Sequence, residues 1–231
     1  MAAIAEDSWY AQGANAATIR HCAEVWRRFW HGGTVLELGP AEGIMTDTLV
    51  EHFDAVTVVD GSESFCAKLR ERYPQISVVH SLFEDYSPDR QFGTIVLGHV
   101  LEHVDDPREL LSRVGGWLTP DGAIYAAVPN ARSIHRQAAV IMGSLGSIYD
   151  LNDTDRHHGH RRVYDPESLQ ADFRGAGLRI DVFGGYWLKP VSNGQIERDW
   201  TPEMLEAFMQ LGERYPDIAG EIYVVARRCR P

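Results

Sequence analysis

Cysteine and long hydrophobic runs are both scarce in this chain of 231 residues. The three cysteines, Cys22, Cys66 and Cys229, are odd in number and form no C-x-x-C pair, which argues against a disulfide framework and for reduced thiols. No segment approaches the ~18 apolar residues that a membrane-spanning helix needs. The amino terminus carries acids early and lacks the apolar core of a signal peptide. We therefore expect a cytoplasmic protein without a membrane partner.

Positive charge is also scarce, because 33 acidic residues outnumber 22 basic ones and give a formal net charge of −11. An acidic surface repels phosphate backbones, so nucleic acid is excluded as an expected partner. One stretch departs from this balance. Residues 132–162 carry five arginines and four histidines against three acids, which marks them as a candidate functional segment.

The glycine motifs that bind phosphate are missing as well. In VLELGPAEG (35–43), Ala41 and Ile44 follow Gly39 where the dinucleotide fingerprint G-x-G-x-x-G requires glycine. No G-x-x-x-x-G-K-[ST] phosphate loop occurs in the chain either. Glu37 places a carboxylate where a pyrophosphate would be repelled. The turn therefore favours a nucleoside-like ligand with a cationic tail.

What the sequence does contain is a regular alternation of strand and helix patterns. The predicted strands are 34–39, 55–60, 76–80, 94–99, 123–129, 178–185 and 221–227. The predicted helices are 15–30, 44–53, 63–73, 108–118, 166–176 and 202–214. This order predicts a mainly parallel sheet covered by helices on both faces, with ligands beyond the carboxyl ends of its strands.

Two further segments indicate adenosine. Asp60 ends the second predicted strand, where an acid accepts hydrogen bonds from both ribose hydroxyls. Leu82 and Phe83 follow the third strand and could flank a flat purine. Adenosine without phosphates, joined to a cationic amino-acid tail, describes S-adenosylmethionine.

Three motifs in register, VLELGPAEG, TVVDGSE and TIVLGHVLEHVDDP, resemble the successive motifs of class I S-adenosylmethionine-dependent methyltransferases over roughly residues 30–130. The resemblance is to the small-molecule branch that includes the ubiquinone-biosynthesis methyltransferases. It implies an α/β fold with a Rossmann-like sheet of seven mostly parallel strands, the last one antiparallel. We expect one domain over 1–231, divided into an amino-terminal helical cap, a donor-binding half, an acceptor lid and a carboxyl-terminal part: 1–33, 34–129, 130–165 and 166–231.

The resemblance also implies which residues bind the donor. Glu37, Gly39 and Gly43 would line the methionine and ribose region, with Pro40 in the same turn. Asp60 and Gly61 would bind the ribose, and Leu82 and Phe83 the adenine. Gly98 and His99 would lie beside the methyl-bearing sulfonium. Pro40 and Glu42 depart from the commonest turn sequence, but neither position needs a free side chain, so we expect binding to survive.

Metal-binding patterns occur in two places. His99-Val100-Leu101-Glu102-His103 matches the zinc-peptidase pattern H-x-x-E-H. It directly follows a strand and coincides with the fourth-strand motif, so we interpret His103 as a packing residue. His157, His158 and His160 could bind a divalent ion with Asp153 or Asp155, but a carboxylate trio is missing. We predict no metal.

The segment 130–165 follows the fifth strand, and in the resembled enzymes this stretch covers the acceptor pocket. Its apolar middle, 138–145, predicts a lid helix. Histidine is the side chain best suited to act as a general base near neutral pH. We rank the candidates His160, His158 and His135, and we add His99 because it borders the donor. The alternative is a solvated loop that is merely rich in histidine.

Several polar residues are candidates for acceptor binding: Asn130, Arg132, Arg161, Tyr164, Lys189 and Asn193. Arg161 and Arg162 could clamp a carboxylate or phosphate, or one of them could pair with Asp165 or Glu167. The gathered arginines predict an anionic or polyhydroxylated acceptor.

The predicted activity is methyl transfer from S-adenosylmethionine to a small molecule, at a hydroxyl of a sugar or natural-product scaffold. Two alternatives stay open: methylation of nitrogen or carbon on a small metabolite, and a module that binds the donor without catalysis. The sequence is compatible with a homodimer and leaves the oligomeric state open.

Overall fold

The computed structural model of the protein describes residues 12–229, so Trp9 and Tyr10, weighed from the sequence as donor-covering or core residues, lie outside the described part. The strands form a seven-stranded sheet in the order β3-β2-β1-β4-β5-β7-β6. Their bounds are β1 Thr34–Leu38, β2 Ala55–Asp60, β3 Ser77–His80, β4 Phe92–Gly98, β5 Leu118–Pro129, β6 Leu178–Tyr186 and β7 Glu221–Arg228. β7 runs antiparallel to β5 and β6. The predicted α/β fold with an antiparallel last strand is confirmed.

The helices cover both faces of this sheet. Their bounds are α1 Gly13–Arg27, α2 Ile44–His52, α3 Glu63–Arg72, α4 Pro107–Gly116, α5 Ile134–Ile141, α6 Asp153–His157, α7 Pro166–Gly175, α8 Asn193–Asp199 and α9 Pro202–Gly212. Three of them, α4, α7 and α9, begin with proline just after a capping Asp or Thr, because proline lacks the amide that a first turn leaves unpaired. Within residues 12–229, no helix has the length and apolar character to cross a membrane.

The sheet is buried on both faces, which explains why its strands read as nearly continuous apolar runs. In β1, Leu36 and Leu38 pack into one core with Leu111 of α4 and Phe173 of α7. Val35, from the same strand, packs into the other core, which α1, α2 and α9 complete with Trp26, Leu49 and Met209. This arrangement leaves the carboxyl edge of the sheet open for a ligand.

The lid differs from the sequence prediction. Its helix α5 spans Ile134–Ile141 instead of 138–145, because the chain takes a left-handed conformation at Gly143, with φ 74°, and cannot continue as a helix. Two short helices, α6 and α8, were not predicted. Each is started by a capping box, between Asn152 and Asp155 in α6 and between Ser192 and Gln195 in α8.

Candidate active site

Two clefts open at the carboxyl edge of the sheet and share part of their lining. The donor cleft, as we call the first, takes most of its polar and glycine lining from the carboxyl ends of β1, β2 and β4 and the residues just after them: Glu37, Gly39, Pro40, Ala41, Asp60, Gly98 and His99. The acceptor cleft is lined by the lid, α8 and the start of β7: Asn130, His135, Arg136, Asp155, His160, Lys189, Asn193 and Glu221. Ile19, His99 and His158 line both clefts, so a group bound in one lies next to a group bound in the other.

The glycine turn after β1 exposes backbone to the donor cleft. Gly39 has φ 68°, and its amide donates to the carbonyl of Val59 at 2.9 Å. A Cβ at Gly39 would lie 3.2 Å from Cγ2 of Val100 and would fill the space beside Phe83. Glycine is therefore favoured at this position both for its dihedral angles and because a side chain would crowd Val100.

Glu37 supplies a buried carboxylate to the donor cleft. The hydroxyl of Thr46 donates to its Oε2 at 2.6 Å. Burial raises the pKa of Glu37 to about 8, and the hydrogen bond from Thr46 opposes this rise only in part. A cationic group bound beside Glu37 would relieve the cost of its burial, so the residue fits the ammonium of an amino-acid tail.

Asp60 is held at the end of β2 by two backbone amides. Ser62 donates to Oδ1 at 2.7 Å and Ala41 donates to Oδ2 at 3.4 Å. Burial raises the pKa of Asp60 above its ordinary value. The carboxylate is thereby fixed in the donor cleft, where it fits a ribose diol. Phe83, which is 4% exposed, lines the cleft beside it.

Three predicted donor residues lie outside this lining. Gly43 caps α2 with φ 83°, and a Cβ there would lie 2.7 Å from Cδ2 of Leu69. Gly61 follows Asp60, and its carbonyl lies 3.2 Å from Nε2 of His80. Leu82 is 46% exposed and lines a neighbouring depression that also contains Arg161.

His99 stands between two buried carboxylates at the junction of the clefts. Its Nδ1 lies 3.3 Å from Oε1 of Glu102, and its Nε2 lies 3.8 Å from Oε2 of Glu221. Burial alone would lower the pKa of His99, but Glu221 and Glu102 outweigh it and raise the pKa to about 9. His99 is therefore an imidazolium at neutral pH. Its φ of 57° is left-handed, which is strained for a histidine and is typical of functional sites.

His160 is oriented by Asp155 of the lid. Nδ1 of His160 lies 3.3 Å from Oδ1 of Asp155, and Arg136 donates to Oδ2 of the same carboxylate at 3.0 Å. Burial raises the pKa of Asp155, but hydrogen bonds from His160 and Asn152, together with Arg136, bring it down to about 2. This ionised carboxylate fixes the His160 ring in the wall of the acceptor cleft.

The other predicted histidines are poor proton acceptors. Burial, assisted by neighbouring histidines, lowers the pKa of His158 to about 4. Burial lowers the pKa of His135 to about 3, and Lys189 and Arg136 add to the shift. Both imidazoles are therefore neutral at pH 7.

Three predicted acceptor residues line the cleft in different ways. Asn130 is fully buried and donates to the carbonyls of Asp217 and Ala219, which fastens the end of β5. Asn193 donates to Oδ1 of Asn15 at 2.9 Å. The ammonium of Lys189 lies 4.6 Å from the centroid of the Trp187 ring, and burial lowers its pKa to about 8.

Three others lie outside the acceptor cleft lining. Arg132 pairs with Glu167, and Tyr164 sits in the core with its hydroxyl donating to Asp172. Arg161 pairs with Asp105. The suggested pairing of Arg161 or Arg162 with Asp165 or Glu167 is wrong, because both arginines instead fasten the lid to the turn after β4: Arg162 donates to the carbonyls of Leu101, Val104 and Asp105.

Sequence reasoning missed Arg136 and Glu221. Arg136 is 5% exposed and ties the lid together by donating to Asp155 and to the carbonyls of Ile148 and Asp150. Glu221 is 8% exposed and is the first residue of β7. Because β7 was predicted to be antiparallel, its first residue had to lie at the carboxyl edge of the other strands. That topological signal could have pointed to Glu221.

One cluster among residues 12–229 could share a metal ion. Glu102, His103 and His160 each offer a ligand atom, and these atoms lie within 4.8 Å of one another. A carboxylate and two imidazoles suit a transition metal. The segment HVLEH forms a turn and not the helix of a zinc peptidase. His157 and Asp153, considered from the sequence, are not part of this cluster.

The strand order, the glycine turn after β1 and the acid at the end of β2 are the features that the class I methyltransferase motifs predicted. A family profile described as "Methyltransferase domain" matches residues 12–181, so the chain belongs to that family. The protein is therefore an S-adenosylmethionine-dependent methyltransferase, as the sequence motifs predicted.

Individual relatives agree with this assignment. A ubiquinone biosynthesis O-methyltransferase of Coxiella burnetii (strain Dugway 5J108-111) is 26% identical over 184 residues, 77% of each protein. The structure of the N-methyltransferase NodS from Bradyrhizobium japonicum WM9 in complex with S-adenosylhomocysteine covers 97% of this chain and 93% of its own, with 14% identity and a TM-score of 0.64. The glycopeptide N-methyltransferase MtfA, complexed with sinefungin, covers 92% and 87%, with 16% identity and a TM-score of 0.61.

Proposed function

We propose that this methyltransferase transfers a methyl group from S-adenosylmethionine to a hydroxyl of a small, polyhydroxylated acceptor. The observation that carries the proposal is the contact between the two clefts at His99 and His158. Methyl transfer is an in-line displacement, and holding both reactants in alignment supplies most of its acceleration, roughly 7–11 kcal/mol in good cases. A donor in one cleft and an acceptor in the other would meet at these two side chains.

The polar character of the acceptor cleft supports a hydroxyl-bearing acceptor. Among the described residues, Oε2 of Glu221, Oδ1 of Asn193 and Nδ1 of His135 are buried without a hydrogen-bond partner. Buried polar atoms are normally paired, so these atoms favour an acceptor that brings several hydroxyls. Arg132 and Arg161 are engaged with Glu167 and Asp105, which reduces the support for an anionic acceptor.

The named relatives support the same reaction class and one alternative. The Coxiella burnetii relative is described as an O-methyltransferase, which favours oxygen as the nucleophile. NodS and MtfA are described as N-methyltransferases, which keeps an amine as the second candidate. The hydroxyl and the amine acceptor differ in when the proton leaves. A hydroxyl must lose its proton during methyl transfer, whereas a neutral amine can lose its proton afterwards.

The first experiment measures donor binding and then transfer. Calorimetry with S-adenosylhomocysteine should show binding to the wild-type protein and much weaker binding to Asp60→Ala, which loses the ribose-facing carboxylate. S-adenosylmethionine carrying a tritiated methyl group is then incubated with sugars, phenolic diols and primary amines.

We expect label in the hydroxyl compounds. If label appeared only in the amines, the methyl acceptor would be nitrogen and not a hydroxyl oxygen. Donor binding without label in any compound would favour the non-catalytic alternative. Absence of donor binding would contradict the function altogether.

A further inference from the structure

Transfer to a hydroxyl requires a group that takes the hydroxyl proton, and the four histidines in reach are each unsuited to it. Both ring nitrogens of His99 face carboxylates, Nδ1 that of Glu102 at 3.3 Å and Nε2 that of Glu221 at 3.8 Å, so neither nitrogen is open to a bound hydroxyl. His160 is committed to the lid by its pairing with Asp155, and its ring packs edge-on against His103 with 4.8 Å between the centroids. The ring of His158 packs against those of His157 and His160, with 5.6 Å and 6.0 Å between the centroids. Burial, together with Lys189 and Arg136, lowers the pKa of His135 to about 3 and makes it a weak base.

Glu221 has the geometry that the histidines lack. It begins β7 opposite Pro129, the last residue of β5, and so lies at the carboxyl edge of the sheet in the wall of the acceptor cleft. Its side chain is nine-tenths buried, and within residues 12–229 its Oε2 receives no hydrogen bond. Nε2 of His99 lies 3.8 Å from this oxygen. An unpaired carboxylate oxygen beside the junction of the clefts can accept a hydrogen bond from a bound hydroxyl.

The surrounding charges keep Glu221 able to act as a base. Burial raises its pKa, while the cations of His99 and Lys189 act against burial, and Glu102 adds to the rise. The stem of Lys189 packs beside Gly220, where an added Cβ would lie 3.3 Å from Cβ of Lys189. A carboxylate whose pKa is raised by burial binds a proton more tightly than one in water, which strengthens it as a general base.

We propose that Glu221 is the catalytic base, which accepts the proton of the acceptor hydroxyl at the junction of the two clefts. This inference rests on the proposed function. As the hydroxyl oxygen forms its bond to the methyl carbon, the carbon–sulfur bond breaks and its electron pair stays on sulfur. The hydroxyl proton moves to Oε2 of Glu221 and passes to solvent after the methylated product leaves. His99, whose Nε2 lies 3.8 Å from Oε2 of Glu221, positions the carboxylate.

Sinefungin tests the position of Glu221 without any acceptor. This analogue carries an amine where the donor carries its methyl group, whereas S-adenosylhomocysteine carries nothing there. An ionised carboxylate next to the site of transfer attracts that amine when it is protonated. The ratio of the dissociation constants of sinefungin and S-adenosylhomocysteine therefore reports the charge that faces the methyl group. A substitution that weakens the donor cleft in general affects both constants equally and leaves their ratio unchanged.

Calorimetry is carried out on the wild type and on Glu221→Gln, which keeps the side-chain size and removes the charge. We expect sinefungin to bind about tenfold more weakly to Glu221→Gln, with the affinity for S-adenosylhomocysteine changed less than threefold. Glu203→Gln is the matched control, since it removes the same charge from the exposed start of α9 and should change neither ligand. Melting temperatures verify that each variant is folded. Glu221→Asp retains the charge, so it should keep most of the wild type's affinity for sinefungin relative to S-adenosylhomocysteine.

Turnover supplies the second readout with any hydroxyl compound that the wild type methylates. Glu221→Gln should lower kcat about 100-fold or more, and the loss should shrink below tenfold for a nitrophenol that is already ionised. His160→Gln should retain more activity than Glu221→Gln. An unchanged sinefungin ratio in Glu221→Gln, or a greater loss of kcat in His160→Gln, overturns the assignment. Failure of the wild type to bind either ligand would instead overturn the proposed function.

Discussion

The two clefts are built in opposite ways. The donor cleft takes most of its polar lining from the carboxyl ends of β1, β2 and β4 and the residues just after them, so short sequence motifs carry most of it. The acceptor cleft brings together α1, the lid, α8 and the first residue of β7, which are far apart in the chain. Each motif places its donor-cleft residues within a few positions of a strand end. The residues of the acceptor cleft lie far apart in the chain and meet only because the sheet and the lid bring them together.

The two clefts also differ in the charged side chains that line them. In the donor cleft, Glu37 and Asp60 are buried carboxylates whose pKa values are raised. Among residues 12–229, no lysine or arginine lines this cleft with them. In the acceptor cleft, carboxylates and cations alternate, as with Arg136 and Asp155. The donor cleft is therefore prepared for a cation, and the acceptor cleft for neutral polar groups.

The largest expected effect tests the donor cleft. Gly39→Val places methyl groups in the ligand space at a φ of 68°, and we expect the dissociation constant of S-adenosylhomocysteine to rise on the order of 1000-fold, about 4 kcal/mol. Gly33→Val is the matched control, because Gly33 has φ 88° and an added Cβ there meets nothing within 4 Å. Both variants should lose stability from backbone strain, but only Gly39→Val should lose the ligand. Equal affinities in calorimetry would contradict the assignment of the turn.

The next effect tests the acceptor cleft. Arg136→Met removes the buried cation that pairs with Asp155 and the donor to two lid carbonyls, so the lid should open locally. We expect KM for a methylated hydroxyl compound to rise roughly 30-fold, about 2 kcal/mol, while S-adenosylhomocysteine affinity changes less than threefold.

The control for the lid is Arg156→Met, which removes an exposed pairing with Asp153 from the same segment. This variant should behave like the wild type, since exposed ion pairs contribute little. A parallel loss of donor and acceptor binding in Arg136→Met would show that the clefts are not separable.

The smallest effect concerns pH. The pKa of Glu37 is about 8 in the folded protein and lies at its ordinary, lower value in the unfolded chain. As pH rises between these values, the unfolded chain loses a proton that the folded protein keeps, so the stability of the unliganded protein falls.

Glu37→Gln removes this dependence. At pH 9 we expect its free energy of unfolding to exceed that of the wild type by on the order of 2 kcal/mol, which raises Tm by about 4–8 °C. Its affinity for S-adenosylhomocysteine should fall about tenfold at pH 7. Thermal unfolding at pH 5 and pH 9 measures the first effect. Identical pH profiles for the two proteins would refute the raised pKa of Glu37.

The limits of prediction from sequence follow the same division. The motif at Asp60 sits where a strand ends, so its place needs only local structure. Arg161 was predicted to face the acceptor, but its partner, Asp105, belongs to a turn more than fifty residues earlier. The lid helix was displaced toward the amino terminus because Gly143 ends it, and apolar composition alone does not reveal a left-handed residue.

The sequence by itself determined three features, because each depends on neighbours a few residues away. These are the order of strands and helices, the left-handed turn at Gly39, and the placement of the Glu37 and Asp60 carboxylates at strand ends. Tertiary structure alone decided that Glu221 meets His99, because these two residues are more than a hundred positions apart, whereas Glu102 lies only three residues from His99. The free energy of such a contact depends on burial and distance in the folded protein, and neither quantity is encoded in a local pattern.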